Sequence, residues 1–94
     1  MFVDYFGDTP RGRILDFLGD HPSSDYTITE MAAKAEMTRT TAYGALAGAL
    51  RVGLIVHTRT VGQSKFYKLN TDHTVVQSIL NADMAQPGLE LLTH

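Results

Sequence analysis

The order of the local patterns between residues 27 and 70 restricts the fold more than any other feature of this 94-residue chain. A short alanine-rich segment, TITEMAAKAEM, is followed after one turn by a longer helical pattern, TRTTAYGALAGALRVG. The β-branched run LIVHTRTV and the alternating run KFYKL come next, separated by Gly62, Gln63 and Ser64. These spacings predict two helices followed by a β-hairpin, and therefore an α+β fold.

Residues that commonly begin and end helices define further boundaries. Thr9 and Pro10 predict the start of a helix, with Thr9 as its N-cap, and Gly19 predicts its end. Thr29 and Thr38 are the predicted N-caps of the second and third helices. The chain is therefore expected to form a small helical core before the hairpin.

The third helix is predicted to be amphipathic. Its expected buried face consists of Ala42, Leu46, Ala49 and Leu50. Its expected exposed face consists of Arg39, Thr40, Tyr43, Gly44, Ala47 and Arg51. This pattern leaves the polar face of the helix free to meet a partner.

In the hairpin, strict alternation would place Val56, Thr58 and Thr60 on one face, while Phe66 and Leu69 help to close the core. The segment 26–28 is predicted to be a short strand. A fourth helix, HTVVQSILNADMAQ, follows the predicted capping sequence Asn70-Thr71-Asp72, and Pro87-Gly88 ends it.

Residues 1–94 are thus expected to form a single domain with a three-helix core, a two-stranded wing and an additional C-terminal helix. This arrangement is a winged helix-turn-helix. The C-terminal helix and tail, residues 72–94, are available for dimerisation.

The net charge of −2 and the pI near 6.0 argue, taken alone, against binding to nucleic acid. The charge is segregated along the chain, however. Residues 1–37 carry −4 and residues 72–94 carry −3, whereas residues 38–71 carry +5 and contain no acidic residue. This central segment, which includes the third helix and the hairpin, is predicted to face an anionic partner.

Several classes of protein are disfavoured by the sequence. The chain has no cysteine, which excludes disulfide scaffolds, cysteine-ligated zinc and thiol catalysis. It has no phosphate-binding glycine loop, nucleophile elbow or metal-binding histidine pair, so neither an enzyme nor a cofactor or metal is expected. The acidic N-terminus does not resemble a signal peptide, and a cytoplasmic, nucleoid-associated location is expected.

The stretch from Thr9 to Leu69 resembles the archaeal winged helix-turn-helix transcriptional regulators, small proteins similar to the MarR and ArsR families. The matching segments are Ile14-Leu15-Asp16-Phe17-Leu18, His21-Pro22, residues 25–32, Arg39-Thr40-Thr41, Tyr43 and VGQSKFYKLN at 61–70. This resemblance implies a regulator that binds double-stranded DNA, with its third helix in the major groove. A homodimer is expected because one small winged helix reads only about half of a site.

Three residues depart from the pattern of these regulators. Glu36 replaces the usual glycine of the turn, which is therefore expected to form without a positive φ. Gly44 stands where a long polar side chain is common, and Gln63 replaces a basic residue at the tip of the wing.

Nine residues are the candidate DNA-binding set: Thr38, Arg39, Thr40, Tyr43, Gly44, Arg59, Gln63, Ser64 and Lys65. Arg39 is expected to read guanine, and the threonine hydroxyls are expected to contact phosphate. Arg59 and Lys65 are expected to follow the DNA backbone or to enter the minor groove from the wing. Arg11 and Arg13 are instead assigned to surface ion pairs with Asp8, Asp16 or Asp20.

Six apolar residues are the candidate dimerisation set: Phe2, Tyr5, Phe6, Val76, Ile79 and Leu80. The aromatic residues among them could equally cover the core of their own chain. Two other functions remain open at this level. In one, the small residues Gly44, Ala47 and Gly48 form a docking surface for a protein; in the other, the chain coats DNA without sequence preference.

Overall fold

A computed structural model describes residues 1–82 of the chain. The elements in chain order are α1 (Val3–Phe6), α2 (Pro10–Asp20), β1 (Tyr26–Thr27), α3 (Ile28–Lys34), α4 (Arg39–Arg51), β2 (Ile55–Val61) and β3 (Ser64–Leu69). A further helix, α5, begins at residue 74 and continues to residue 82, the last one described. The predicted end of this helix at Pro87-Gly88 and the tail beyond it lie outside the described residues.

The predicted starts of α2 and α4 are confirmed. The Thr9 hydroxyl oxygen accepts a hydrogen bond from the backbone N–H of Gly12 at 3.1 Å. The Thr38 hydroxyl oxygen accepts one from the backbone N–H of Thr41 at 3.2 Å. Both threonines have extended backbones and satisfy an N–H group that has no partner within its helix.

The predicted N-cap at Thr29 is wrong, because α3 begins at Ile28 and is capped by Thr27. The Glu30 backbone N–H donates to the Thr27 hydroxyl at 3.2 Å, and the Thr27 backbone N–H donates to the Glu30 carboxylate at 2.9 Å. This reciprocal capping box requires Glu at the third helical position, a spacing that Thr29 does not have.

The turn between α3 and α4 also differs from the expectation, since Glu36 adopts a positive φ of 56°. The Glu36 N–H donates to the Ala33 carbonyl at 3.3 Å, and the Met37 N–H donates to the Ala32 carbonyl at 2.9 Å. These two bonds form a Schellman motif, which satisfies the last carbonyls of α3 only if the residue after the C-cap is left-handed. The hydrogen bonds therefore hold a non-glycine residue in a conformation that favours glycine.

We expect Glu36→Gly to stabilise the protein, because a left-handed residue with a Cβ costs about 1–2 kcal/mol and glycine avoids this cost. The predicted gain is about 1 kcal/mol in the free energy of unfolding, measured by urea denaturation. Glu36→Ala keeps the Cβ and serves as the control, for which no comparable gain is expected. Equal stabilities of the two variants would contradict the backbone strain at this turn.

The three strands form one antiparallel sheet in the order β1-β3-β2. The pairing of β2 with β3 is irregular: His57 faces Tyr67 and Arg59 faces Phe66, so Thr58 is an extra residue in β2. Such a β-bulge reverses the alternation of side chains beyond it. The expectation that Val56, Thr58 and Thr60 share one face is therefore wrong.

The regular alternation of β3 decides which of its aromatic residues meets the core, because Tyr67 lies two positions before the buried Leu69. Tyr67 packs against the core, whereas Phe66, which was predicted to do so, lies on the other face beneath Arg59. Leu69 is fully buried, as expected. Lys68 shares the face of Phe66, because the two are separated by two positions in β3.

The core includes three residues from the predicted dimerisation set. Phe2 and Val76 are 0% exposed and Ile79 is 4% exposed within a single chain. Their side chains are therefore already buried and are unavailable at a surface. Of the other three, Phe6 and Leu80 are partly buried, and Tyr5 is 60% exposed.

Candidate nucleic-acid interface

Helix α4 presents the two faces that its sequence predicts. Ala42, Leu46 and Ala49 are buried, and Leu50 is half-buried. All six residues predicted for the opposite face, Arg39, Thr40, Tyr43, Gly44, Ala47 and Arg51, are exposed. Between Tyr43 and Arg51 this exposed face carries the small residues Gly44 and Ala47, so it has little relief, and we call it the shallow face.

The two largest groups at the N-terminal end of this face contact each other. Arg39 Nη2 donates a hydrogen bond to the Tyr43 hydroxyl at 3.3 Å, and Arg39 Cζ lies 5.8 Å from the centre of the Tyr43 ring. The ring attracts the guanidinium through its negative face. Tyr43 is 52% exposed, and Arg39 is exposed too. Tyr43 therefore positions the Arg39 guanidinium without burying it.

The wing consists of β2, β3 and the two-residue turn Gly62-Gln63 between them. Gly62 has a φ of 60°, which the first position of a tight type II′ hairpin turn requires. Lys65 pairs with Thr60 across the hairpin and shares the face of Tyr67, which is the face turned towards the helices. The register thus directs Lys65 towards α4.

A cleft of about 450 Å³ separates the wing from the helices, and we call it the helix–wing cleft. It is lined by Thr27, Ile28, Thr29, Arg39, Tyr43, Gln63, Ser64, Lys65 and Tyr67. Five of these residues belong to the predicted DNA-binding set, and none of the nine is acidic. Within residues 1–82, neither Lys65 nor Arg39 forms an ion pair, and the Arg39 side chain hydrogen-bonds only to Tyr43.

Sequence reasoning missed the start of α3, Thr27 to Thr29, as part of this cleft. The capping box at Thr27 and Glu30 gives the position of this helix start, but only the pairing of β1 with β3 shows that it lies beside the wing. Thr38, Thr40 and Gly44 do not line the cleft. They lie at the start and on the exposed face of α4.

Arg59 is the one charged member of the predicted set that the structure does not bring to the helix–wing cleft. Its Nε lies 3.0 Å from Asp25 Oδ2 and its Nη2 lies 3.3 Å from Asp25 Oδ1. Its Cζ also lies 4.2 Å from the centre of the Phe66 ring. The hydroxyl of Thr58, the bulged residue, donates to the same carboxylate at 2.6 Å. Asp25 therefore ties the bulge of the wing to the loop before β1.

The hydrogen bonds from Arg59 and then from Thr58 hold the pKa of the Asp25 carboxyl below its ordinary value. Because the folded pKa is lowered, the contribution of this contact to stability is complete above the ordinary carboxyl pKa. It is lost only as the pH falls through the lowered value. Near neutral pH the carboxylate remains ionised and the wing stays anchored.

The ion pairs predicted for α2 are confirmed for Arg13 alone. Arg13 Nε lies 3.8 Å from Asp8 Oδ1, and Arg13 Nη2 donates to the Glu36 carbonyl at 3.4 Å. Arg11 forms no ion pair with any acid in residues 1–82. Its guanidinium lies against Gly48 of α4 instead.

Residues 1–82 contain no group of three or more His, Asp or Glu side chains that could share a metal ion. In the same range, no helix is both long enough and apolar enough to cross a membrane.

Solved structures similar to this one are winged-helix proteins. A variant of MepR from Staphylococcus aureus, bound to an oligodeoxyribonucleotide, is 18% identical with a TM-score of 0.68, and the match covers 90% of this chain and 63% of that one. The homodimeric winged helix-turn-helix DNA-binding domain Mb0332 from Mycobacterium bovis, a possible ArsR-family transcriptional regulator, is 22% identical with a TM-score of 0.63, covering 90% and 73%. The MarR family transcriptional regulator SPO1453 from Silicibacter pomeroyi is 20% identical with a TM-score of 0.61, covering 89% and 59%.

These likenesses establish the winged-helix fold. No protein-family model matches the chain, and no curated protein matches it. The match to MepR itself covers 62% of that protein, so this chain spans less than two thirds of its length.

Proposed function

We propose that this protein is a transcriptional regulator that binds double-stranded DNA through α4 and the wing. The observation that carries the proposal is the helix–wing cleft, in which Arg39 and Lys65 line a surface that contains no acidic residue. Cations without acidic partners on a concave surface attract a polyanion. The winged-helix fold and the DNA-bound MepR structure support the same function.

In this proposal the N-terminal half of α4 enters the major groove. Arg39, held by Tyr43, reaches the O6 and N7 atoms of a guanine, a pairing that its planar guanidinium matches. The exposed hydroxyl-bearing residues Thr38 and Thr40 face backbone phosphates near the helix N-terminus. Gly44 allows the backbone of α4 to approach the bases closely.

The wing follows the backbone of the strand that passes through the helix–wing cleft. Lys65 supplies the charge, while Gln63 and Ser64 at the tip reach towards the adjacent minor groove. Arg59 has a different role from the one that its sequence suggests. Through Asp25 and Phe66 it anchors the wing from the opposite face.

A homodimer is part of the proposal, since one winged helix reads only half of a typical site and two copies place their recognition helices about 34 Å apart. The homodimeric state of Mb0332 supports this assembly. Tyr5, Phe6 and Leu80 remain from the predicted interface, because the other three residues are buried in the chain's own core. We also propose that the protein is cytoplasmic and associated with the nucleoid. We further propose that it belongs to the archaeal regulators that its sequence resembles.

A salt titration tests the proposed function. The affinity of the protein for a labelled duplex should fall steeply with salt, because each neutralised phosphate releases counterions and contributes about −0.9 to the slope of log K against log salt. Lys65→Ala should make this slope less negative by the contribution of about one phosphate contact. Lys68→Ala, which removes the same charge from the opposite face of β3, is the control and should leave the slope unchanged. Absence of duplex binding at low salt would refute the proposed function.

A further inference from the structure

Arg11 is a basic side chain whose expected ion pair is missing from the described structure. It lies in the first turn of α2, two positions before Arg13, which pairs with Asp8. Arg11 itself has no ion pair or hydrogen bond with any group in residues 1–82. A charge that is neither paired nor fully exposed requires another explanation.

The position of Arg11 depends on a glycine of α4. A Cβ atom at Gly48 would overlap Arg11 Nη2 and would lie 3.2 Å from its Cζ and 3.5 Å from its Nε. The guanidinium thus occupies the space that any other residue at position 48 would fill, and Gly48 is buried beneath it. Glycine within a helix is unfavourable relative to alanine. Gly48 therefore costs helix stability, but it leaves the space that the Arg11 guanidinium occupies.

Gly44, in the same helix, shows that this arrangement is particular to position 48. A Cβ atom at Gly44 would have no neighbour within 4 Å. Gly44 therefore lies beneath no side chain of residues 1–82, whereas Gly48 is covered by a guanidinium.

Arg11 packs on the flank of α4 opposite the helix–wing cleft. At 100° per residue, positions 41, 45 and 48 share one flank and positions 39 and 43 share the other. Thr41 and Ala45 line a notch of about 400 Å³ together with Phe6, Thr9, Pro10 and Arg11. Between the two flanks lies the exposed face that carries Gly44 and Ala47. Basic groups thus stand on both sides of the shallow face of α4.

We infer that Arg11 contacts a backbone phosphate of the second DNA strand, across the major groove from the strand that passes through the helix–wing cleft. This inference rests on the proposed function. A helix about 10–12 Å in diameter fills a major groove about 12 Å wide, so each flank of the helix faces one strand. Lys65 serves one strand and Arg11 serves the other. The nearest acid in sequence, Asp8, is engaged by Arg13 and leaves Arg11 free of competition from that carboxylate.

The primary test is the salt dependence of duplex binding by Arg11→Ala. Loss of one phosphate contact should reduce the magnitude of the negative slope of log K against log salt by about 1 and weaken binding about 3- to 10-fold at 0.1 M salt, equally for all sequences. Arg13→Ala is the matched control, since it removes the same side chain from the same helix but breaks an existing ion pair. Its slope should equal that of the unmodified protein.

Gly48→Ala provides a second test that leaves the charge in place. The new Cβ should displace the flexible end of Arg11, so this variant should lose as much slope as Arg11→Ala. In an Arg11→Ala background it should cause no further loss. If Arg11 merely covers Gly48, then Arg11→Ala will change the thermal midpoint but leave the salt slope intact, which would overturn the inference.

Neutral methylphosphonate linkages, placed one at a time along each strand, identify the contact directly. The unmodified protein should be sensitive to substitutions on both strands, and Arg11→Ala should lose sensitivity on one strand only. If the unmodified protein and Lys65→Ala behave as proposed but Arg11→Ala keeps both sets, this inference fails while the proposed function stands. If no duplex binds at all, the proposed function fails.

Discussion

Replacing Arg39 by alanine is expected to reduce the affinity for the preferred duplex about 5- to 150-fold, which corresponds to the ~1–3 kcal/mol of discrimination that a bidentate contact to guanine supplies. Arg39 is the only long basic side chain at the N-terminal end of the exposed face of α4. The neighbouring Gly44 and Ala47 cannot replace its hydrogen bonds. Affinity for unrelated duplexes should fall much less, because they lack the guanine contact.

Arg39→Lys separates base reading from simple attraction to phosphate. Lysine keeps the positive charge but lacks the planar pair of donors that matches guanine. We therefore expect this variant to retain binding to unrelated duplexes and to lose most of the preference for the selected one. If Arg39→Lys keeps the full preference, or if Arg39→Ala binds all duplexes as the unmodified protein does, then Arg39 does not read a base. The latter result would favour a protein that coats DNA without sequence preference.

Replacing Phe2 by alanine is expected to cost about 3–5 kcal/mol in the free energy of unfolding, as large-to-small changes at buried aromatic positions usually do. Phe2 is 0% exposed, and its ring lies where a side chain at Gly19 would otherwise extend. Its backbone N–H also donates to Asp16. In a domain of this size the thermal midpoint should fall by at least roughly 12 °C.

Tyr5→Ala is the control for this prediction, because Tyr5 lies in α1, which Phe2 directly precedes, but is 60% exposed. Its effect on stability at low protein concentration should be within about 0.5 kcal/mol, which is usual for surface positions. Sedimentation measurements on the same variants follow the oligomeric state. If Phe2→Ala kept its thermal midpoint and only dissociated a dimer, then Phe2 would belong to an interface rather than to the core.

Local signals in the sequence were sufficient for the start of α2 and for the start and faces of α4. The caps at Thr9 and Thr38, and the two faces of α4, follow from short-range hydrogen bonding and from helical spacing. Both operate within a few residues and are therefore visible in the sequence. The single acid-free segment likewise predicted that Arg39 and Lys65 would lie on a common surface, and both line the helix–wing cleft.

Features that depend on distant residues were not predictable. The bulge at Thr58, which moves Arg59 away from the cleft, is bound by Asp25, 33 positions earlier in the chain. The burial of Phe2 depends on the absence of a side chain at Gly19, and the position of Arg11 depends on Gly48. Each of these is a contact between elements, and no local pattern in the sequence encodes it.

The prediction for the strained turn at Glu36 failed for a different reason. The expectation weighed only the intrinsic preference of the residue, which disfavours a positive φ. The two hydrogen bonds to the last carbonyls of α3 outweigh that preference. The sequence shows the residue that bears the strain but not the bonds that maintain it.

Backbone amide shifts of the ¹⁵N-labelled protein, titrated with a short duplex at low salt, test directly whether α4 and the wing bind DNA. We expect the largest shifts at the start and exposed face of α4, residues 38–47, and at the tip of the wing, residues 61–65. Residues 56 and 68, on the opposite face of the wing, should change little. Shifts concentrated on that opposite face, or no shifts at any duplex concentration, would show that α4 and the wing tip do not form the DNA-binding surface.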